Sequence, residues 1–148
     1  MNAFKLALEF TPDDAELARE LEAATVAANA ILSETYRRQA TYEEKNGQWT
    51  EASRSWTRAA NILTTDAHVQ ERAATALIHA SGNLHDAAKF AQRAVVLSPN
   101  NAGYRATLGG VYLAAGLHKN AKRELEAAQQ LSPQDASIAA LLKRAGKG

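Results

Sequence analysis

The side chains of this sequence that could bind a metal ion are its four histidines, and their spacing does not suit that role. No two of His68, His79, His85 and His118 have the His-x-x-x-His spacing that places two imidazoles on one helix face. The sequence contains no cysteine, which excludes thiolate ligands and disulfides. We therefore predict no metal site and no cofactor.

The charged residues are balanced and give no sign of catalysis or of nucleic-acid binding. The chain has 17 basic and 16 acidic residues, and its formal net charge is +1. A nucleic-acid-binding domain would carry a strongly basic face. No pair of carboxylates has the apolar surroundings that tune an acid–base couple, and no Gly-x-x-x-x-Gly-Lys phosphate loop is present. We predict a protein that is not an enzyme and has no catalytic residues.

The chain also lacks the signals of a membrane protein. No apolar run approaches the roughly 18 residues of a membrane span, and the start lacks the basic and apolar regions of a signal peptide. We expect a cytoplasmic protein with no membrane partner. Apolar residues make up 46% of the chain but aromatic residues only 6%, and the abundant alanine favours closely packed helices.

Glycine and alanine recur along the chain with a fixed period. Gly47, Gly82 and Gly116 lie 35 and 34 residues apart, and each is followed by alanine after five and after twelve residues. Self-similarity at about 34 residues predicts a stack of helical hairpins. We expect each of these glycines to adopt the left-handed conformation that ends the first helix of its hairpin.

This pattern resembles the tetratricopeptide repeat, a helix–turn–helix unit of 34 residues. The unit 102–135 carries the Leu108-Gly109 pair and Tyr112 where the family has them, but Arg105 where a large aromatic residue is expected. The unit 68–101 has Ala74-Thr75 in place of the Leu-Gly pair. The unit 33–67 has one extra residue and no closing proline. The resemblance predicts an all-α, right-handed α-solenoid of helix–turn–helix repeats with a C-terminal capping helix.

The two ends of the chain lie outside these three repeats. Residues 1–32 are predicted to hold part of a preceding repeat helix and a linking helix, and residues 136–148 a capping helix and tail. Phe4, Ala7, Phe10 and Pro12 have the spacing of a second repeat helix, although their alternation also fits a strand. The helical interpretation suggests that the chain was cut from a longer protein. Residues 13–46 could form one helix, or two with a break near Asn29.

The resemblance implies a binding site, because in this family the first helices of successive repeats line a concave groove. The predicted contact residues are Arg37, Arg38, Thr41, Val69, Arg72, Ala76, His79 and Gly110. Arginine side chains can hold carboxylates, and small residues allow a ligand to approach closely. Family members that clamp the C-terminal carboxylate of heat-shock chaperones carry lysine and asparagine in one repeat, asparagine in the next, and lysine and arginine in the third. At the matching places this chain has Arg37, Thr41, Ala73, Gly103 and Thr107, so we do not expect clamp binding of this kind.

The leading functional hypothesis is a non-enzymatic protein–protein interaction scaffold that binds a peptide, helix or partner domain in the groove. One alternative is self-assembly into a homo-oligomer through the apolar stripe of the helix that begins near Asp14, which includes Leu17, Leu21, Ile31 and Leu32. Another is a co-chaperone-type appendage of a larger multidomain protein.

Overall fold

The computed structural model of this protein describes residues 14–147 together with Ala3, Lys5 and Leu6. The helices within residues 14–147 are α1 (Ala15–Lys45), α2 (Trp49–Ile62), α3 (Ala67–His79), α4 (Leu84–Leu97), α5 (Ala102–Ala114), α6 (His118–Leu131) and α7 (Ala136–Ala145). The described residues contain no strand. Helices α1 and α2, α3 and α4, and α5 and α6 pack as three hairpins, and each second helix also packs on the next first helix.

The first helix is longer than its partner and continuous. Asp14 caps α1 by accepting hydrogen bonds from the backbone N–H groups of Glu16 and Leu17, both at 3.0 Å. Helix α1 runs through Asn29 without a break, which resolves the alternative that the sequence left open. Because α2 has only 14 residues and follows a short turn, it covers the second half of α1.

The preceding repeat helix stays a prediction. Ala3, Lys5 and Leu6 are helical. Phe4, Ala7, Phe10 and Pro12, on which that prediction depends, lie outside the described residues.

The turns within the hairpins show that the predicted register, the alignment of one repeat with the next, is wrong by one residue in the middle unit. Gly47 and Gly116 adopt left-handed backbone conformations, with φ of 71° and 75°. In the middle hairpin that conformation belongs to Ser81, with φ of 53°, and Gly82 follows it without a positive φ. The prediction for Gly82 is therefore wrong. The turn between α3 and α4 is one residue longer than the other two, so the extra residue lies in the middle unit.

With this register, the small residue of each first helix falls at Ala40, Ala74 and Gly109, all of which are buried. A Cβ atom at Gly109 would lie 2.5 Å from Cγ of Leu125, so α5 and α6 approach each other too closely there for a side chain. Ala74 is thus the small residue of the middle hairpin. In this register Ala73-Ala74, and not Ala74-Thr75, stands where the family has Leu-Gly, so the middle hairpin keeps the small residue and lacks the leucine.

The same register aligns Tyr36, Gln70 and Arg105 at the place where the family has a large aromatic residue. The Gln70 amide is fully buried and donates to the carbonyl oxygens of Ala60 and Leu63 at 2.8 and 2.9 Å. These carbonyls belong to the end of α2, whose last turn has no intrahelical partners to offer them. Arg105 donates to the Pro99 carbonyl at 2.8 Å. Both side chains therefore fasten the end of one hairpin to the start of the next.

The last helix closes the stack. Asp135 caps α7 by accepting from the N–H groups of Ser137 and Ile138, and Ile138 and Ala145 are buried against the preceding hairpin. Helix α7 is the predicted capping helix, which covers the apolar side of the last hairpin. Among the described residues, no helix has both the length and the apolar character needed to cross a membrane.

Candidate binding groove

The first helices α1, α3 and α5 form one side of the solenoid, and polar side chains connect each of them to the next. We call this surface the inner face. Arg72 of α3 forms an ion pair with Glu44 of α1, and the Thr107 hydroxyl of α5 donates to Glu71 of α3 at 2.9 Å. These contacts hold the three helices side by side.

Glu71 is the centre of this connection. Its side chain is only 12% exposed. It accepts hydrogen bonds from Thr75 at 2.6 Å and from Thr107 at 2.9 Å, and its second oxygen lies 3.5 Å from the Arg72 guanidinium. Because Arg72 lies between Glu44 and Glu71, its charge is already balanced within the chain. Arg72 therefore shapes the inner face rather than offering a free cation to a ligand.

A cleft of about 300 Å3 opens on the inner face between α1 and α3. Its lining residues are Thr41, Glu44, Lys45, Trp56, His68 and Arg72. The Trp56 indole N–H donates to Glu44 at 2.9 Å, and the ring meets His68 edge-on with 6.5 Å between centroids. The cleft thus combines an aromatic wall with hydrogen-bonding groups, as small-ligand and peptide sites do.

The predicted contact residues on α1 are accessible. The Arg37 and Arg38 side chains are 43% and 80% exposed, and both lie near Glu34, at 4.0 and 2.9 Å. Ion pairs this exposed contribute little to stability, so both arginines can exchange partners at low cost. Thr41 is also exposed, and its hydroxyl donates to the Arg37 carbonyl at 2.8 Å.

Two predicted contact residues on α3 face the core instead of the inner face. Val69 and Ala76 are fully buried in the core, so their side chains cannot contact a ligand. The shift of one residue in the register explains this error. His68 and Thr75 take the corresponding positions on the inner face, where His68 is exposed and Thr75 partly exposed.

The two remaining predicted residues are both accessible, since His79 is exposed and Gly110 partly exposed. The His79 ring stacks on Trp49, with centroids 4.1 Å apart and an 18° angle between the planes. His79 is thereby held in place at the C-terminal end of α3. Gly110 faces open space, because a Cβ atom built on it would meet nothing within 4 Å. A ligand backbone can therefore approach α5 closely at this point.

The sequence interpretation missed His68, Thr75 and Glu71 as inner-face residues. A signal for them was present in the helix-capping residues. Asp66 and Asn101 cap α3 and α5, each by accepting from the backbone N–H three residues later at 3.1 and 3.0 Å. Their separation of 35 residues gives the correct register, whereas the spacing of Gly82 and Gly116 does not.

One titratable group near the inner face is perturbed. Burial raises the pKa of Tyr104 above its ordinary value of 10.0, and the nearby carboxylates of Glu71 and Asp66 raise it further. Tyr104 therefore remains a neutral hydrogen-bonding group throughout the physiological pH range. The part of the chain that the structure describes contains no group of three histidine, aspartate or glutamate residues able to hold a metal ion.

Comparison with known proteins gives the same architecture. The tetratricopeptide repeat family model matches residues 79–145. The tetratricopeptide domain of Arabidopsis OM64 is 21% identical to this chain, with a TM-score of 0.72, and the match covers 80% of this chain and 98% of that domain. These findings confirm the predicted right-handed solenoid and its capping helix.

Two further solved structures show where this fold occurs. The second tetratricopeptide domain of human RPAP3, solved with the HSP70 peptide SGPTIEEVD, is 18% identical, with a TM-score of 0.72 and coverage of 81% of this chain and 99% of that one. A Thermobaculum terrenum O-GlcNAc transferase is 24% identical, with a TM-score of 0.67, and the match covers 79% of this chain but 22% of the transferase. No curated protein sequence matches the chain.

Proposed function

We propose that this chain, of which residues 79–145 match the tetratricopeptide repeat model, is a non-enzymatic scaffold that binds a segment of another protein on its inner face. The observation that carries this proposal is the row of connected polar side chains across α1, α3 and α5. Thr107, Glu71, Arg72 and Glu44 link the three helices beside an open cleft. A surface whose shape is fixed in advance loses less conformational entropy when it binds.

The inner face is divided into two parts of different chemistry. At the α1 side, Arg37 and Lys45 present positive charge beside the cleft. At the α5 side, Gly103 and Gly110 lie seven residues apart on one helix face, and no side chain rises from either. We propose an extended ligand that places acidic side chains against α1 and lies with its backbone close to α5.

The heat-shock peptide of RPAP3 is not the ligand that we propose for this chain. The resemblance implies that a carboxylate clamp would need lysine, asparagine, asparagine, lysine and arginine at five places. In the structural register, Arg72 replaces Ala73 in this set, and it is already paired with Glu44 and Glu71. At the five places the chain has Arg37, Thr41, Arg72, Gly103 and Thr107. A co-chaperone role would therefore require a different mode of peptide binding.

The experiment compares two charge-matched double variants in affinity capture from the source lysate. Arg37→Glu/Thr41→Glu changes an arginine and a threonine four residues apart on the inner face, and Thr50→Glu/Arg54→Glu changes the same pair of residue types on the exposed side of α2. We expect the wild type and the α2 variant to capture the same partner and the α1 variant to lose it. A partner retained by the α1 variant and lost by the α2 variant would refute binding on the inner face.

Exposed apolar residues on α1 favour self-assembly as a second candidate function. Val26 and Ile31 are 63% and 70% exposed, whereas Leu17 and Leu21 of the predicted stripe are partly buried. We propose that contact between copies uses Val26 and Ile31, the two most exposed large apolar residues in the part of α1 that includes the predicted stripe. Sedimentation equilibrium would then show a dimer for the wild type and a monomer for Val26→Glu/Ile31→Glu, and a monomeric wild type at high concentration would exclude this candidate.

A further inference from the structure

The second helices α2 and α4 leave a cleft between them, separate from the inner face that the first helices form. The cleft has a volume of about 300 Å3, and we call it the outer cleft. A cleft of this size suits a small ligand. Its lining residues are Ser53, Arg54, Thr57 and Arg58 of α2, Leu77 of α3 and Asp86 of α4.

One repeat later, an aromatic side chain lies at the place that corresponds to the outer cleft. Tyr112 of α5 corresponds to Leu77 of α3, and Gln92 of α4 corresponds to Thr57 of α2. The Tyr112 side chain is buried, and its hydroxyl accepts a hydrogen bond from the Gln92 amide at 2.8 Å. Leu77 and Thr57 are both smaller than the residues that correspond to them. The outer cleft therefore has room where the next repeat holds a phenol ring and an amide.

The cations of the outer cleft are available to a ligand. Arg54 and Arg58 are exposed and lie four residues apart on one side of α2. Neither forms an ion pair with a carboxylate of the described residues. The Arg58 guanidinium lies over the Tyr36 ring, 5.6 Å from its centroid, which restrains the side chain and leaves its N–H groups for an anion.

The net charge of the lining selects the charge of the ligand. Two arginines and the single carboxylate of Asp86 give the lining residues a net charge of +1. One carboxylate on a ligand would balance this charge, and arginine binds carboxylates through paired hydrogen bonds. Asp86 would repel a second negative charge. The outer cleft therefore fits a monoanion better than a dianion.

We propose that the outer cleft binds a small organic acid that carries one carboxylate and one aromatic ring. The carboxylate accepts hydrogen bonds from Arg54 and Arg58. The ring packs on Leu77, in the room that corresponds to the place of the Tyr112 ring one repeat later. This site uses none of the inner-face residues, so it is independent of the binding proposed there.

The test measures binding of phenylacetate to the full chain by the chemical-shift changes of backbone amides in NMR spectra. The control ligand is 2-phenylethanol, which has the same ring and no charge. We expect a dissociation constant on the order of 1 mM for phenylacetate, with the largest shifts in α2 and at the start of α4. We expect 2-phenylethanol to bind at least about tenfold more weakly. Absence of saturable binding, or equal binding of the two ligands, would overturn the proposal.

Two double variants with the same loss of charge locate the site of binding. Arg54→Gln/Arg58→Gln removes both cations of the outer cleft. Lys119→Gln/Arg123→Gln removes two exposed cations with the same spacing from α6. We expect the first variant to weaken phenylacetate binding at least about tenfold and the second to change it less than about twofold. Equal losses in the two variants, or no loss in the first, would overturn the proposal.

A third variant fills the outer cleft while it keeps both arginines. Thr57→Gln/Leu77→Tyr copies the arrangement of Gln92 and Tyr112 into the middle of the chain, and we expect it to abolish binding of phenylacetate. Circular dichroism checks that each variant is folded, and the arginine variants decide the test if this one is not. A folded filled variant that binds phenylacetate as the wild type does would overturn the proposal.

Discussion

On the inner face, polar side chains bond between helices of different hairpins, whereas on the exposed side of α6 they pair along a single helix. Thr107 with Glu71 joins α5 to α3, and Arg72 with Glu44 joins α3 to α1. Lys122 and Glu126 lie 3.8 Å apart within α6, and both are more than half exposed. The inner face therefore has a shape set by contacts across the stack, while the exposed side can change residue by residue without altering the neighbouring helices.

The largest expected effect comes from the packing that holds α5 against α6 beneath the inner face. Gly109→Leu would force a side chain into the space of Leu125, and we expect the free energy of unfolding to fall by about 3 kcal/mol. Gly110→Leu, one residue further along and open to solvent, should raise it by about 0.5–1 kcal/mol because leucine favours helix more than glycine does. Urea denaturation measures both, and equal losses would show that the assigned faces of α5 are wrong.

A smaller loss is expected where a buried amide joins two hairpins. Gln70→Ala removes the side-chain donor of the Ala60 carbonyl and one of the two donors of the Leu63 carbonyl, and it opens a cavity, so stability should fall by about 2–3 kcal/mol. Gln92→Ala is the control, because Gln92 is exposed and its amide donates to the Tyr112 hydroxyl at 2.8 Å, so its loss should cost less than about 1 kcal/mol. Thermal unfolding followed by circular dichroism would contradict the role of Gln70 if the two variants melted together.

Double-mutant cycles compare the two kinds of polar contact directly. The pair Glu71 and Thr107 should show a coupling energy of about 1 kcal/mol between Glu71→Gln and Thr107→Val, because its hydrogen bond is shielded from water. The pair Lys122 and Glu126 should show about 0.3 kcal/mol. Chemical denaturation measures both coupling energies. A larger coupling energy for Lys122 and Glu126 than for Glu71 and Thr107 would mean that the inner face is not held by these contacts.

The smallest expected effect is the response of Tyr104 to alkaline pH. Because its pKa is raised in the folded state, the folded chain holds the phenolic proton more firmly than the unfolded chain does. This contribution to stability is complete below pH 10.0 and is lost as pH rises through the folded-state pKa. Tyr104→Phe should therefore lose less stability than the wild type between pH 9 and pH 11, both measured by urea denaturation. Identical pH profiles would show that neither burial nor the carboxylates of Glu71 and Asp66 raise the pKa of Tyr104.

Much of the fold follows from the sequence because the residues that start and end the helices of each repeat can be recognised by their type. Helix ends at Gly47 and Gly116, helix starts at Asp14 and Asp135, and the close approach at Gly109 were all predictable from residue type. Each of these positions demands a particular residue for a steric or hydrogen-bonding reason. Such positions fix the architecture even where the surrounding residues vary.

The inner face of α3 was harder to predict because α3 offers little contrast in side-chain size. Ala73 and Ala76 lie on one face of α3 and Ala74 on another, but all three look alike in sequence. The position of Gly82 therefore decided the register, and the extra residue in the following turn made it wrong by one. A shift of one residue rotates a helix by about 100°, which exchanged buried Val69 for exposed His68.

The polar contacts between helices of the inner face could not be predicted from the sequence for a different reason. Glu44 and Arg72 are 28 residues apart, and Glu71 and Thr107 are 36 residues apart. Their contacts depend on how successive hairpins are offset along the stack, which no local pattern specifies. The sequence consequently indicated Arg72 as a free contact residue, whereas the structure shows it paired with two carboxylates.

The most direct test of the central claim, that a protein segment binds on the inner face, is photo-crosslinking from two single positions. A benzoylphenylalanine at position 110 would lie on the open floor of the inner face, and one at position 89 would lie on the exposed side of α4. In source lysate, we predict a specific partner adduct from position 110 and none from position 89. Adducts from position 89 alone, or the same adducts from both positions, would contradict binding on the inner face.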